Sequence, residues 1–320
     1  MRKLILFLLA ALTACGSPAP TATRVSEGGA PPDSLSGNIA ISGAFAIYPI
    51  MTVWADEFQK LHPKVTFDIS AGGAGKGLTD ALYNAVDIGM VSRNVTSAEE
   101  ARGAYAVAVV KDAVFPVVNA QNPVINDLLA KGVSRDTFIK IFITGEYKTW
   151  GDVVGKLDVT DAIHVFTRSD SAGAADTWAK FLGGKKQADL KGVGLNGDPG
   201  LLDAVIQDPL GIGYNNLGYA FDGATGKPVT GATILPIDGN NDGQAGTDEV
   251  INTAAKAVDA VTNGAYPLAR DLNLVTKGKP SGLTQAFIQW ILTDGQKFVS
   301  QAGFVQLPAD KLAESLAKVK

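Results

Sequence analysis

Along this chain three β-rich runs each give way to a helical pattern through a turn of small residues, and this recurrence limits the fold more than any other feature. Residues 38–42 read as a strand and lead into Ser42-Gly43-Ala44-Phe45-Ala46-Ile47-Tyr48-Pro49. Residues 65–69 read as the next strand and lead into Ala71-Gly72-Gly73-Ala74-Gly75-Lys76-Gly77. Residues 164–167 form a third, followed by Arg168-Ser169-Asp170-Ser171-Ala172-Gly173-Ala174. Further strands are expected at 86–90, 105–110 and 212–214, and helices at 49–61, 136–143, 174–182, 200–206, 249–261 and 281–298. Short strands alternating with helices indicate an α/β architecture.

A helix start presents unpaired N–H groups and partial positive charge, so it holds an anion without cationic side chains, provided the backbone can come close. Small residues allow that approach. The candidate anion contacts are Ser42, Gly43, Ala44, Phe45 and Ala46 at the first junction, and Gly73, Ala74 and Gly75 at the second. Arg168, Asp170, Ala172, Gly173 and Ala174 supply the third. Arg168 brings a planar, permanently charged fork suited to an oxyanion, and Asp170 can orient it. Asp87-Ile-Gly-Met-Val-Ser92-Arg93 adds a buried strand ending in a hydroxyl and a second arginine. Three such junctions can converge in a crevice between two α/β lobes, at the carboxyl ends of the strands. Gly75-Lys76 is not a P-loop: Ser70 stands where its first glycine belongs, and Gly77 where Ser or Thr belongs.

Composition removes several function classes. The 320 residues are 46% hydrophobic and 19% charged, enough for a sizeable core and two domains. With 28 basic against 32 acidic residues, the chain lacks the basic footprint of nucleic-acid binding. One Cys and two His exclude a disulfide framework and argue against a zinc or histidine-based catalytic site. His62 and His164 stand in no recognisable motif. No convincing nucleophile, metal pair or general acid is found, so an enzyme such as a phosphatase is the weaker reading. The tryptophans, Trp54, Trp150, Trp178 and Trp290, are expected in the core.

Met1-Arg2-Lys3 followed by an apolar run at 4–12 has the pattern of an export signal, too short to span a bilayer. It ends in Leu12-Thr13-Ala14-Cys15, which resembles the lipobox of bacterial lipoproteins. The resemblance implies cleavage after residue 14, lipid on Cys15, and anchorage to a membrane outside the cytoplasm. Residues 15–36, rich in Pro, Ala, Ser, Thr and Gly, read as a flexible tether.

Asp238, Asn240, Asp242, Gly243 and Glu249 satisfy every specified position of the loop pattern D-x-[DN]-x-[DN]-G-x5-E. Side chains of Asp238, Asn240, Asp242 and Glu249, with the Gln244 carbonyl, are the expected ligands of a structural Ca²⁺. A surface turn rich in Asn, Asp and Gly is the alternative, and a calcium-stabilised surface protein a further reading of the whole chain. No other cofactor is expected.

The ordered motifs SGAFAIYP, AGGAGKGL, DIGMVSR, RSDSAGAADTW and GIGYNN resemble the phosphate-binding proteins of bacterial phosphate ABC transporters. The resemblance covers about residues 37–307. It implies a two-lobe, periplasmic-binding-protein-like α/β fold of type II, with a hinge and an interlobe anion cleft. Lobe 1 would comprise 37–116 plus 236–313, and lobe 2 residues 117–235. It further implies capture of inorganic phosphate by a monomer and delivery to a membrane permease, without catalysis. The family's arginine matches Arg168, its acidic partner Asp170 and the following glycine Gly173. Family hydroxyls are replaced by Phe45, Ala46, Ala74, Ala172 and Ala174, and Ser92 stands where well-known members carry an acceptor aspartate. Protonated phosphate can donate to such a carboxylate and sulfate cannot, so these departures keep sulfate, molybdate and tungstate open as ligands.

Overall fold

The computed structural model describes residues 35–320. The expected signal sequence, the lipidation site Cys15 and almost all of the tether lie outside the described residues. Among the described residues the strands are β1 (Gly37–Gly43), β2 (Val65–Ala71), β3 (Ile88–Val91), β4 (Ala104–Asn119), β5 (Val133–Ser134), β6 (His164–Arg168), β7 (Val193–Leu195), β8 (Gly211–Asn216), β9 (Ala232–Ile234), β10 (Ile237–Asp238) and β11 (Ala269–Lys277). The main sheet runs β2-β1-β3-β11-β4-β8-β6-β7, with β9 also on β4, and β10 pairs separately with β5.

β1 is parallel to β2 and β3, and β6 is parallel to β7 and β8. Parallel neighbours need crossover connections, which the helices Tyr48–Leu61, Ala74–Leu82 and Gly197–Gln207 supply. Between the two parallel sets run β11 and β4, antiparallel to each other and to their outer neighbours β3 and β8. The helix Tyr48–Leu61 shows how locally the elements are specified. Pro49 sits in its first turn, where a missing N–H costs nothing, and Ile50, Met51, Trp54 and Phe58 form its buried face. It stops at His62, the residue before Pro63.

Two hydrophobic cores result. One gathers Ile39, Trp54, Phe58, Met90 and Val110 with Leu272 and Phe287. The other gathers Val114, Phe138, Trp150, Trp178, Leu201 and Tyr214. Ile237, Ile251, Val261, Tyr266 and Leu268 pack into this second core, although the family resemblance assigns 236–313 to the first lobe. β4 and β11 pass through both cores, and the molecule is a two-lobe α/β structure. All of the tryptophans are buried, as expected. No helix among the described residues is long and apolar enough to cross a membrane.

Two expected helices are shorter than the periodicity suggests. The one expected over 249–261 begins at Ala254, capped by Thr253, because Glu249 is bonded to loop amides. The one expected over 281–298 is broken at Thr293, whose hydroxyl donates back to Gln289 O at 2.9 Å; a 3₁₀ turn, Asp294–Phe298, follows.

Candidate oxyanion site

At the end of β1, Gly43 adopts φ +133° and a Cβ there would lie 2.3 Å from Met90 O. Its carbonyl accepts from the amides of Gly72 (2.9 Å) and Gly73 (3.0 Å), which join the first two junctions. Gly73 itself has φ +92°. These are positions where only glycine fits both the backbone and the space. The helices that follow the three junctions, Tyr48–Leu61, Ala74–Leu82 and Gly173–Phe181, have no side chain capping their starts. Cap side chains therefore leave their first N–H groups open, apart from Tyr48 N, which donates to Phe45 O at 3.1 Å, Gly75 N, which donates to Ser171 O, and Pro49, which has none.

The second and third junctions meet. Gly75 N donates to Ser171 O at 3.0 Å, and a Cβ on Gly73 would lie 2.6 Å from Asp170 Oδ2. Gly173 faces the end of β3, where a Cβ would lie 2.4 Å from Ser92 Oγ. The Phe45 ring lies beside the Arg168 guanidinium, 5.3 Å from its centroid, and Tyr219 Oη donates to Phe45 O at 3.1 Å. Ala44, Ala46, Ala74, Ala172 and Ala174 are buried at the three helix starts. Thus Gly43, Phe45, Gly73, Gly75, Ser92, Arg168, Asp170 and Gly173, drawn from four separate segments, form one contiguous cluster.

Arg168 is the centre of the charge arrangement, its side chain only 2% exposed. Nε and Nη2 donate to Asp170 Oδ1 (2.7 Å) and Oδ2 (2.6 Å), and Nη1 donates to Asp198 Oδ2 at 2.7 Å. Burial works against the charged guanidinium, but Asp198 and Asp170 outweigh it and raise its pKa. For Asp198 the balance goes the other way: burial pushes its carboxyl up against the charges of Arg168 and Arg270. Gln187 fixes the loop: its Nε2 donates to Asp170 O at 2.6 Å and its Oε1 accepts from Ala172 N at 3.0 Å. With three of five guanidinium donors bonded, the fork keeps two N–H groups for a further acceptor.

Two expected contacts have their polar groups engaged elsewhere. The Ser42 hydroxyl donates to Asp80 Oδ2 at 2.6 Å, where Lys76 also binds. Arg93 grips Glu99 with two hydrogen bonds, at 2.9 and 3.0 Å, and reaches Asp176 at 3.4 Å. Burial alone would raise the Glu99 carboxyl; hydrogen bonds from Arg93 and Thr96, with the Arg93 charge, bring it down to about 2.

The expected calcium loop closes on its own amides. Asp238 Oδ2 accepts from Gly243 N at 3.1 Å, Asn240 Oδ1 from Asp242 N at 3.0 Å, and Asp242 Oδ1 from Gln244 N at 2.8 Å. Glu249 accepts from Gly239 N at 2.7 Å and Gly246 N at 3.0 Å. Among the described residues no group of three or more His, Cys, Asp or Glu side chains is arranged to hold a metal ion. The hydrogen bonds of the loop are those of an Asn/Asp/Gly turn, and the buried Asp238 Oδ1 has no hydrogen-bond partner among them.

Asp198, Gln187, Asn216 and Tyr219 were not anticipated. Asp198 follows Asn196-Gly197 at a helix start with no motif around it, and only the parallel pairing of β6 with β7 carries it to Arg168.

The model of the PBP superfamily domain matches residues 28–295. This chain belongs to the PBP superfamily. Within it, the chain is 29% identical to the phosphate-binding protein PstS of Bacillus subtilis over 313 residues, covering 95% of this chain and 93% of that protein. It is likewise 29% identical to PstS of Pseudomonas aeruginosa, over 97% of each chain. A provisionally assigned phosphate ABC transporter substrate-binding protein with bound phosphate, from Clostridium perfringens, superposes with TM-score 0.68 at 23% identity, over 85% of this chain and all 100% of that one. A high-affinity periplasmic phosphate-binding protein, PfluDING, gives TM-score 0.66 at 15% identity, over 88% of this chain and 93% of its own. The architecture is the type II two-lobe fold of this superfamily.

Proposed function

We propose that this chain is an extracytoplasmic receptor that captures inorganic phosphate between its lobes and delivers it to an ABC permease. The observation that carries the reading is the convergence of three helix starts without side-chain caps on the buried Arg168 fork. Backbone N–H groups there take the place of the hydroxyls missing at Phe45, Ala46, Ala74, Ala172 and Ala174. The PstS names of relatives aligned over nearly the whole chain point the same way. On this reading the protein binds and releases without catalysis, works as a monomer, needs no cofactor, and is held at the membrane by lipid on Cys15.

We take the lobes to follow the two cores, roughly 37–110 with 272–319 and 113–268, in place of 37–116 with 236–313 and 117–235. β4 and β11 then form the hinge about which they close on the ligand. A second reading, a receptor for sulfate, molybdate or tungstate, is favoured by one feature: Ser92, not a carboxylate, faces Gly173.

Calorimetry of residues 35–320 with phosphate, sulfate, molybdate and tungstate at pH 7 tests both, with Arg168→Ala as control. Tight phosphate binding lost in Arg168→Ala is the expected result. Preference for a proton-free anion transfers the protein to the second reading, and no binding of any of the four overturns both.

A further inference from the structure

A buried polar chain leaves Arg168 on the side away from Asp170. Arg168 Nη1 donates to Asp198 Oδ2 at 2.7 Å, and Asn216 Nδ2 donates to Asp198 Oδ1. Asn216 Oδ1 accepts in turn from Arg270 Nη2, which also donates to Asp112 Oδ2 at 3.0 Å. All five side chains are buried. Arg270 Nη1 donates to Thr177 Oγ1 at 3.0 Å, and Thr177 donates to Gly173 O at 2.8 Å. The network therefore starts at the guanidinium of the anion site and returns to the first residue of the helix that faces it.

The direction of donation is fixed along this path. A guanidinium only donates and a carboxylate only accepts, so between Arg168 and Asp112, Asn216 is the one member that does both. With its amide turned over, Nδ2 would face a guanidinium and Oδ1 a carboxylate, two buried mismatches at once. Asp170 lies two residues from Arg168 on the same loop, so it fixes the fork only relative to that loop. Asp198 and Asn216 belong to other elements, the helix Gly197–Gln207 and the end of β8. They fix the fork relative to Asp112 and Arg270, a cross-strand pair on β4 and β11.

We propose that Asp198 and Asn216 are positioning residues of the oxyanion site, which link the orientation of Arg168 to the Asp112–Arg270 pair where the strands cross between the cores. The inference rests on the oxyanion-receptor reading and adds a coupling to it: the fork is held in place as the crossing is held.

The test uses Arg270 Nε, a buried donor with no hydrogen-bond partner, as reporter. Its N–H resonance and that of Arg168 Nε are followed by ¹⁵N NMR during a phosphate titration of residues 35–320. Saturating phosphate is expected to shift both signals in the unaltered protein. In Asn216→Ser, whose side chain is too short to reach both neighbours, Arg168 still responds, the Arg270 response is at least halved, and phosphate binds about tenfold more weakly, within the usual range of coupling between sites. A thermal melt establishes that the variant is folded. An Arg270 signal indifferent to phosphate in the unaltered protein overturns the coupling, and needs no variant to do so. An unchanged Arg270 response and affinity in folded Asn216→Ser also overturns it. Absence of any calorimetric phosphate binding is a different failure, because it removes the phosphate reading itself.

Discussion

Arg270 and Asp112 face each other in register across β11 and β4, Nη2 to Oδ2 at 3.0 Å, at the point where both strands leave one hydrophobic core and enter the other. The last core residue of β4 on one side is Val110 and the first on the other is Ala113; on β11 the corresponding residues are Leu268, just before the strand, and Leu272. Two lobes that share strands need a segment that belongs to neither core, and a buried ion pair occupies it. Burial pushes the Asp112 carboxyl up, opposed by the Arg270 charge and by amide hydrogen bonds that include Leu217 N. Arg270→Met leaves that carboxylate buried without its cation, which is expected to cost about 3–5 kcal/mol in urea unfolding. The double variant Arg270→Met, Asp112→Leu should recover most of the loss. A single variant within about 0.5 kcal/mol of the parent, the range of a neutral surface change, would remove the pair from the stability of the crossing.

Gly75 separates binding from folding. It lies in the first turn of the helix Ala74–Leu82, where alanine is intrinsically better by about 1 kcal/mol. Its amide donates to Ser171 O on the facing junction, and a Cβ there would fall 2.2 Å from Ser171 Oγ. Because parting the two junctions relieves this overlap without unfolding either lobe, Gly75→Ala is expected to keep the thermal midpoint. An overlap costing about 1–3 kcal/mol where the two junctions meet lowers phosphate affinity about 10- to 100-fold. Parental affinity in calorimetry would mean that the two junctions do not close on the ligand as they meet here.

Acid should act early on the Arg93–Glu99 pair. The Glu99 carboxyl has an ordinary value of 4.5 and lies at about 2 in the folded protein, so between those values the unfolded chain binds the proton more readily. Its contribution to stability is complete above about pH 4.5 and is lost as pH falls towards 2. Glu99→Gln is expected to flatten the fall in unfolding free energy across that window while leaving the pH 5–8 region parallel to the parent. Denaturant titrations at half-unit steps from pH 5 to 2 measure it; parallel curves in the acid window would show that Glu99 is not a source of the slope.

Legibility followed the range of the interactions. The junctions at 42–48, 71–77 and 168–174 could be read because a strand end, a helix start and, at Gly43 and Gly73, a positive-φ glycine are local matters, and the structure brings members of all three together. β4 was expected only to Val110, because Lys111 and Asp112 interrupt its apolar run; the strand continues to Asn119. β11 was not anticipated at all, since Arg270, Asp271 and Asn273 hide its pattern. Both are polar where they cross between cores, so the feature that makes them a crossing also conceals them. Asp198 and Asn216 were out of reach for another reason: their partners lie 30 and 54 residues away, and although Arg168 and Asn216 stand in the quoted motifs, nothing in those motifs points to Asp198 or Arg270. The loop at 238–249 is a different case, since a ligand pattern and a self-bonded turn share the same residues and the same amide hydrogen bonds.

Arg168→Lys asks whether the site needs a charge or a fork. Lysine keeps the charge but is a single point, whereas Arg168 divides its contacts between Asp170 on its own loop and Asp198 on a neighbouring helix. An ammonium drawn to either carboxylate leaves the other buried with its partner lost, at a cost of about 1–3 kcal/mol in stability. The same group cannot then present two N–H donors in a plane to an oxyanion, and phosphate is expected to bind about 10- to 100-fold more weakly. Calorimetry beside denaturant unfolding measures both losses. If affinity falls while stability holds, the ammonium has satisfied both carboxylates and only the donor geometry was missing. If stability falls while affinity holds, the helix starts bind the anion themselves and Arg168 serves to neutralise Asp170 and Asp198.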